Sequence, residues 1–169
     1  GHSMTREQAE AVARRLIAFL ETGDADPTLF TEDSFCDFTV PRWRVQAQGR
    51  QQLLELRRRG HPMQGKVPRF RCDPTPTGFV LEVEEEWVQG AETWYCRELF
   101  RADVRDASIE ALSVYCTGDW DAARRAEHTG GALVLLFVMV PADFQHWGGV
   151  ENLMRAEATE EAEKTLAKF

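Results

Sequence analysis

A chain of 169 residues with 20 Lys and Arg against 28 Asp and Glu carries a net charge of −8, which repels phosphate backbones and anionic lipid surfaces and excludes nucleic acid and membranes as expected partners. The length suits one domain that buries roughly two thirds of the surface its unfolded chain would expose. The one basic run, Arg57-Arg58-Arg59, is expected to end a helix, where cations complement the carboxyl end of the dipole.

Gly1, His2 and Ser3 ahead of Met4 read as the remnant of a cleaved tag, so residues 1–4 are set aside. The polar Thr5-Arg6-Glu7-Gln8 is no secretory leader, and a cytoplasmic protein is expected. Met4 to Glu21 is predicted as a helix capped by Thr5, because Ala9, Val12, Ala13, Leu16, Ile17 and Leu20 recur at three- and four-residue steps and Gly23 stops it. Asp26-Pro27 is expected to open a short helical turn through Leu29 and Phe30. Ser34 to Val40 alternates as a strand ending at Pro41, and Gln51 to Arg59 is a second full helix stopped by Gly60.

Lys66 to Asp73, Gly78 to Val88, Ala91 to Val104 and Ile109 to Thr117 then read as four strands, divided by Pro74-Thr75-Pro76, Gln89-Gly90 and Arg105-Asp106-Ala107. Helices followed by an antiparallel meander give an α+β fold for residues 5–128. Asp121 to His128 is expected as a short helix. Residues 129–169 form an extension: an apolar run from Gly131 to Val140, a Trp147-Gly148-Gly149 turn and an amphipathic helix from Val150 to Leu166. The apolar run is shorter than the about 20 residues a helix needs to cross a bilayer. It requires a covering surface, from its own domain or from a second copy.

Cys36, Cys72, Cys96 and Cys116 are widely spaced, without a C-x-x-C pair or a histidine at ligand spacing. That pattern predicts free thiols in a reducing cytosol and no metal site. The excess of Arg over Lys fits a GC-rich bacterial coding sequence.

Alternation puts Phe79, Leu81, Val83, Glu85 and Trp87 on one face of their strand. An even loop at Gln89-Gly90 matches that face to Trp94, Cys96, Glu98 and Phe100 on the next strand. Glu82 and Glu84 then meet Arg97 on the outer face as an exposed charge ladder. The inner face leaves Glu85 and Glu98 among aromatic and aliphatic neighbours, where a carboxyl is costly unless paired or neutral. Two readings stand at this level. Either the carboxyls pair with a helix arginine or reach an open rim, or they share a proton in an apolar hollow and one of them can donate it at neutral pH.

The order of elements and the strings Gly23-Asp24-Ala25-Asp26, Leu29-Phe30-Thr31-Glu32-Asp33, Gly49-Arg50, Leu99-Phe100-Arg101 and Tyr115-Cys116-Thr117-Gly118-Asp119-Trp120 resemble the nuclear-transport-factor-2-like (NTF2-like) superfamily, in particular its SnoaL-like and ketosteroid-isomerase-like members. The resemblance runs from about Thr5 to His128. It implies a cone in which a curved antiparallel sheet wraps N-terminal helices around an apolar pocket, and pairing into homodimers. It also implies isomerase, cyclase or dehydratase chemistry without a cofactor, or simple ligand binding.

Matching the Phe-Arg pair places Glu98 where the steroid isomerase keeps a protonated acid, while the isomerase's general base falls on Phe38. Tyr115 falls where relatives line the pocket with an aromatic, in phase with Ser113. Trp43, Arg44 and Gln46 fall near the pocket mouth, where an arginine beside an amide would hold a carboxylate or carbonyl, or pin the loop. The expected site therefore has Glu98 as acid, Glu85 as base or proton partner and Tyr115 as carbonyl donor. Phe38, Trp43, Arg44, Trp87, Trp94, Cys96 and Ser113 would contact a small hydrophobic substrate. His61 follows the helix stop and is expected in a solvated loop or at the pocket mouth. A binding module without turnover, or an assembly subunit working through its outer sheet face, is the alternative.

Overall fold

The computed structural model describes residues 3–129. Helix α1 spans Arg6–Thr22 and is fixed at its start by a capping box. Thr5 Oγ1 accepts from the Gln8 N–H at 3.1 Å, and the Gln8 side chain accepts from the Thr5 N–H at 3.0 Å, so two amides that a bare helix start would leave unpaired are both satisfied. The predicted stripe is buried, from Ala9, Val12 and Ala13 to Leu16 and Ile17, with Phe19 added and Leu20 at its margin. It packs mainly against β3. Asp26-Pro27 makes a turn rather than the expected helical turn. The Asp26 carboxylate accepts from the Thr28 N–H and hydroxyl and pairs with Arg15, which closes the chain locally and lets Phe30 start a strand.

The strands are β1 (Phe30–Val40), β2 (Trp43–Gln48), β3 (Lys66–Pro74), β4 (Gly78–Gln89), β5 (Glu92–Arg105), β6 (Ser108–Cys116) and a short β7 (Trp120–Asp121). Helix α2 (Arg50–Gly60) lies between β2 and β3 and packs on β1. The sheet runs in the order β2-β1-β6-β5-β4-β3, with β7 added beside β5. It is curved and unclosed. The meander from β3 to β6 is antiparallel as expected, and β1 lies parallel to β6, so the sheet is mixed. Adjacent strands along the chain reverse at tight turns, but β1 meets β6 only after the whole meander has intervened, and a returning strand takes either sense. β2 was not expected as a strand: a turn at Pro41-Arg42 folds it back on β1, with Val40 opposite Trp43.

The β4–β5 loop has two residues, with Gln89 opposite Glu92 and Gly90 at φ 65°, a left-handed conformation that suits glycine. The even loop keeps the faces in step. Leu81 faces Phe100, Val83 faces Glu98, Glu85 faces Cys96 and Trp87 faces Trp94, and all but Trp94 are buried. On the outer face Arg97 pairs with Glu82, and Glu84 accepts from the Tyr95 hydroxyl. Tyr95 is itself buried there, its ring 5.8 Å from that of Trp120 on β7.

Contacts divide the chain after Asp121. Helix α3 (Ala122–Thr129) belongs to the second unit. The apolar run at 131–140, His146, the Trp147-Gly148-Gly149 turn and the helix expected over 150–166 lie outside the described residues. Among the described residues, no helix is long and apolar enough to cross a membrane.

Candidate functional site

The inner faces of β1, β4, β5 and β6 and the inward stripes of α1 and α2 surround a cavity of about 210 Å3. Its walls are apolar, from Leu16, Phe19 and Leu20 on α1, Leu53 and Leu56 on α2, and Phe38, Phe100 and Val114 on the sheet. Set into these walls are Glu85, Cys96, Glu98, Cys116, Arg57, His61 and Asp119.

The sheet register gathers the acidic group. Cys96 faces Glu85 on β4, and Glu98, two positions along β5, faces Cys116 on β6. The Cys96 Sγ lies 3.5 Å from Glu85 Oε2 and 3.7 Å from Glu98 Oε1. Glu85 and Glu98 are only 8% and 7% exposed. Burial pushes the Glu98 carboxyl well above the usual carboxylate range, and the charge and hydrogen bond of Glu85 push it further, while the Cys96 thiol pulls weakly the other way. Cys96 is likewise held protonated, by its hydrogen bond to Cys116, by burial and by the Glu98 charge. Glu98 is therefore a carboxyl biased toward its protonated form, lying against a second carboxyl.

The opposite wall comes from the end of α2. Arg57 Nη2 donates to the backbone carbonyls of Leu20 at 2.9 Å and Met63 at 3.1 Å. The His61 Nδ1 lies 3.2 Å from the same Met63 carbonyl. A carbonyl only accepts, so this contact puts the imidazole proton on Nδ1. The His61 ring meets Trp87 edge-on with centroids 4.5 Å apart, and its Nε2 is buried without a partner among the described residues. Burial raises the Asp119 carboxyl, and His61 opposes that rise.

The structure separates the expected residues. Glu85, Glu98, Cys96 and Phe38 line the cavity. Trp87 sits behind His61, and Trp94 does not reach the lining. Tyr115 and Ser113 point the other way, which corrects their expected place. On β6 it is Leu112 and Val114 that are buried, while Tyr115 pairs with outward Leu99 and is 58% exposed. A one-residue difference in phase moves every side chain of a strand to the opposite face. Trp43 and Arg44 are also corrected. Trp43 stands on the open edge strand, 73% exposed, and Arg44 is turned outward, paired with Asp37 at 2.6 Å. His61 belongs to the cavity rather than to a solvated loop.

Arg57, Asp119 and Cys116 were missed as site residues. Arg57 reads as one of three cations ending a helix, and only its place on the apolar side of α2, one turn beyond Leu53, separates it from Arg58 and Arg59, which pair with Glu55 outside. The wide sequence spacing of the cysteines also misleads, because adjacent strands bring Cys96 and Cys116 together. Their sulfurs and a Glu98 oxygen all lie within 4.8 Å of one another, so these three side chains could hold a thiophilic divalent ion.

No family model matches the sequence, and no curated protein matches it. Solved structures do. An NTF2-like protein from Anabaena variabilis superposes with a TM-score of 0.58 at 20% identity, over 69% of this chain and 96% of that one. The fold is NTF2-like. A candidate polyketide cyclase from Xanthomonas campestris pv. campestris gives a TM-score of 0.52 at 18% identity, over 65% and 90%. A candidate ketosteroid isomerase from Kribbella flavida gives 0.50 at 18%, over 75% and 90%. NTF2-like proteins share an architecture and differ in chemistry, so the function must be argued from this chain's own cavity.

Proposed function

We propose that this protein is a cofactor-independent acid–base enzyme of the isomerase, cyclase or lyase kind, acting on a small, largely apolar carbonyl compound. One observation carries the reading: Glu98 is buried in the wall of an apolar cavity against a second carboxyl, Glu85, and burial and that neighbour push its carboxyl well above the usual carboxylate range. A neutral carboxyl donates a hydrogen bond, and then a proton, to a carbonyl oxygen as the adjacent carbon loses a proton to Glu85. The C–H electron pair becomes the C=C bond of the enol, and the former carbonyl π electrons accept the Glu98 proton. Return of a proton at another carbon isomerises the substrate, and attack of the enol carbon on a second carbonyl closes a ring. Phe38, Phe100, Leu16 and Val114 exclude water, which strengthens both transfers. Similarity to structures described as a candidate ketosteroid isomerase and a candidate polyketide cyclase is in keeping with this reading.

The test is exchange of α-protons in deuterated buffer across a panel of small cyclic ketones such as 2-tetralone, followed by NMR. The native protein is expected to speed exchange, and Glu98→Gln, which keeps the shape of the neutral acid, to abolish it with an unchanged circular dichroism spectrum. Ketones that bind without any acceleration of exchange would replace the enzyme with a binding module of the same fold.

A further inference from the structure

Arg57 is the one Arg or Lys among the described residues that line the cavity. Its guanidinium is held in place without a contact ion pair among the described residues. Nη2 gives its hydrogens to the carbonyls of Leu20 and Met63, and the planar group lies beside Gly23, where an added Cβ would come within 3.7 Å of Cζ. No carboxylate among the described residues lies within ion-pair distance of it, whereas Arg15, Arg44, Arg97 and Arg105 each hold an acidic partner at 3.2 Å or less. The N–H groups of Nε and Nη1 have no partner among the described residues. A half-buried guanidinium costs free energy unless an anion or several hydrogen bonds compensate it; here two carbonyls hold only one of its three nitrogens, and the carboxyls of Glu85, Glu98 and Asp24 act on it only from beyond ion-pair distance.

We propose that Arg57 is the anchor for a carboxylate carried by the ligand, so that among small apolar carbonyl compounds the cavity prefers those that also bear a carboxylate over their uncharged analogues. The layout fits such a ligand. The apolar skeleton rests between Leu16, Phe38 and Leu53, the anionic end meets Arg57 beneath α2, and the reacting carbonyl reaches Glu98 on the sheet wall. This assignment of substrate class rests on the acid–base reading for the reacting end of the molecule and is independent of it for the anchored end.

The experiment is calorimetric binding of matched pairs, phenylacetate with phenylacetamide and 1-naphthoate with 1-naphthamide, to the full chain and to Arg57→Lys and Arg57→Met. The native protein is expected to bind the acid of at least one pair about tenfold or more tightly than its amide, as a charge-assisted hydrogen bond in an enclosed site provides. Arg57→Lys should keep part of that preference and Arg57→Met should lose it while binding the amide as before. Equal affinity for acid and amide, failure of every acid to bind the native protein, or a preference that survives in Arg57→Met overturns the proposal. The native acid-to-amide ratio needs no variant, so a misfolded substitution cannot decide the outcome. The ratio should persist in Glu98→Gln: loss of proton exchange with the preference intact supports both the chemistry and the anchor, whereas exchange retained in that variant refutes the chemistry and leaves the anchor standing.

Discussion

Cys96 faces Glu85 across the β4–β5 hairpin, its Sγ 3.5 Å from Glu85 Oε2, and from that position it also reaches Glu98 two residues along its own strand. The thiol is a polar contact that the two buried carboxyls share.

Replacing Cys96 with alanine removes the contact that pulls the Glu98 carboxyl down, leaving burial, Glu85 and Cys116 to raise it unopposed. The Glu98 titration midpoint should rise, read by carbon NMR of labelled glutamate side chains. An unchanged or lower midpoint would show that the thiol does not stabilise the charged form.

Glu98 also sets a slope of stability with pH. Its folded value lies above the unfolded value of 4.5, so between the two the folded state binds more protons than the unfolded one, and stability falls as pH rises through that window. Asp26, pulled down to about 2 chiefly by its hydrogen bond with Thr28, acts in the opposite sense, adding stability as pH rises through the acid range. Glu98→Gln should flatten the decline above 4.5 and raise the melting temperature at neutral pH. A native melting temperature that climbs steadily from pH 5 to 8, unaltered by the substitution, would contradict this.

The β5–β6 turn puts Asp106 at φ 51° and Ala107 at φ 63°, and a left-handed alanine costs roughly 1–2 kcal/mol. Ala107→Gly should therefore stabilise the protein by about 0.5–1 kcal/mol in urea unfolding, glycine's greater freedom in the unfolded chain taking back part of the gain. The Ala107 carbonyl accepts from Arg15 at 2.7 Å, a bond the substitution leaves in place.

Gly78 opens β4 where its backbone crosses close to β5. A Cβ there would lie 1.9 Å from the Ala102 carbonyl oxygen, so Gly78→Ala must push two paired strands apart. A loss of about 2 kcal/mol or more is expected, measured by the urea midpoint. A loss below about 0.5 kcal/mol would mean that the strands part freely.

How far the molecule could be read from its sequence depended on where each signal resides. Alternation along β4 and the two-residue loop at Gly90 are local, and they placed Glu85, Cys96 and Glu98 on the correct face. The α1 stripe from Ala9 to Ile17 is local in the same way. The phase of β6 was not legible, because Ser113 and Tyr115 on one face compete with Leu112 and Val114 on the other, and the choice is made by partners on β5 and β1. Arg57 was hidden for a related reason: a helix shows which side is apolar but not that a cation within that side will find carbonyls from two other segments. β2 was hidden because Trp43 and Val45 line an open edge and carry no buried pattern beyond Ala47.

The parallel seam between β1 and β6 bears on how the molecule is made. Cys36 and Phe38 on one side and Leu112 and Val114 on the other come from opposite ends of the described chain, and such distant segments pay their loop-closure entropy before any contact repays it. On a ribosome the β3–β5 meander can form while the seam is still open, so the hollow takes shape only when β6 emerges and docks. Until then its greasy lining faces water.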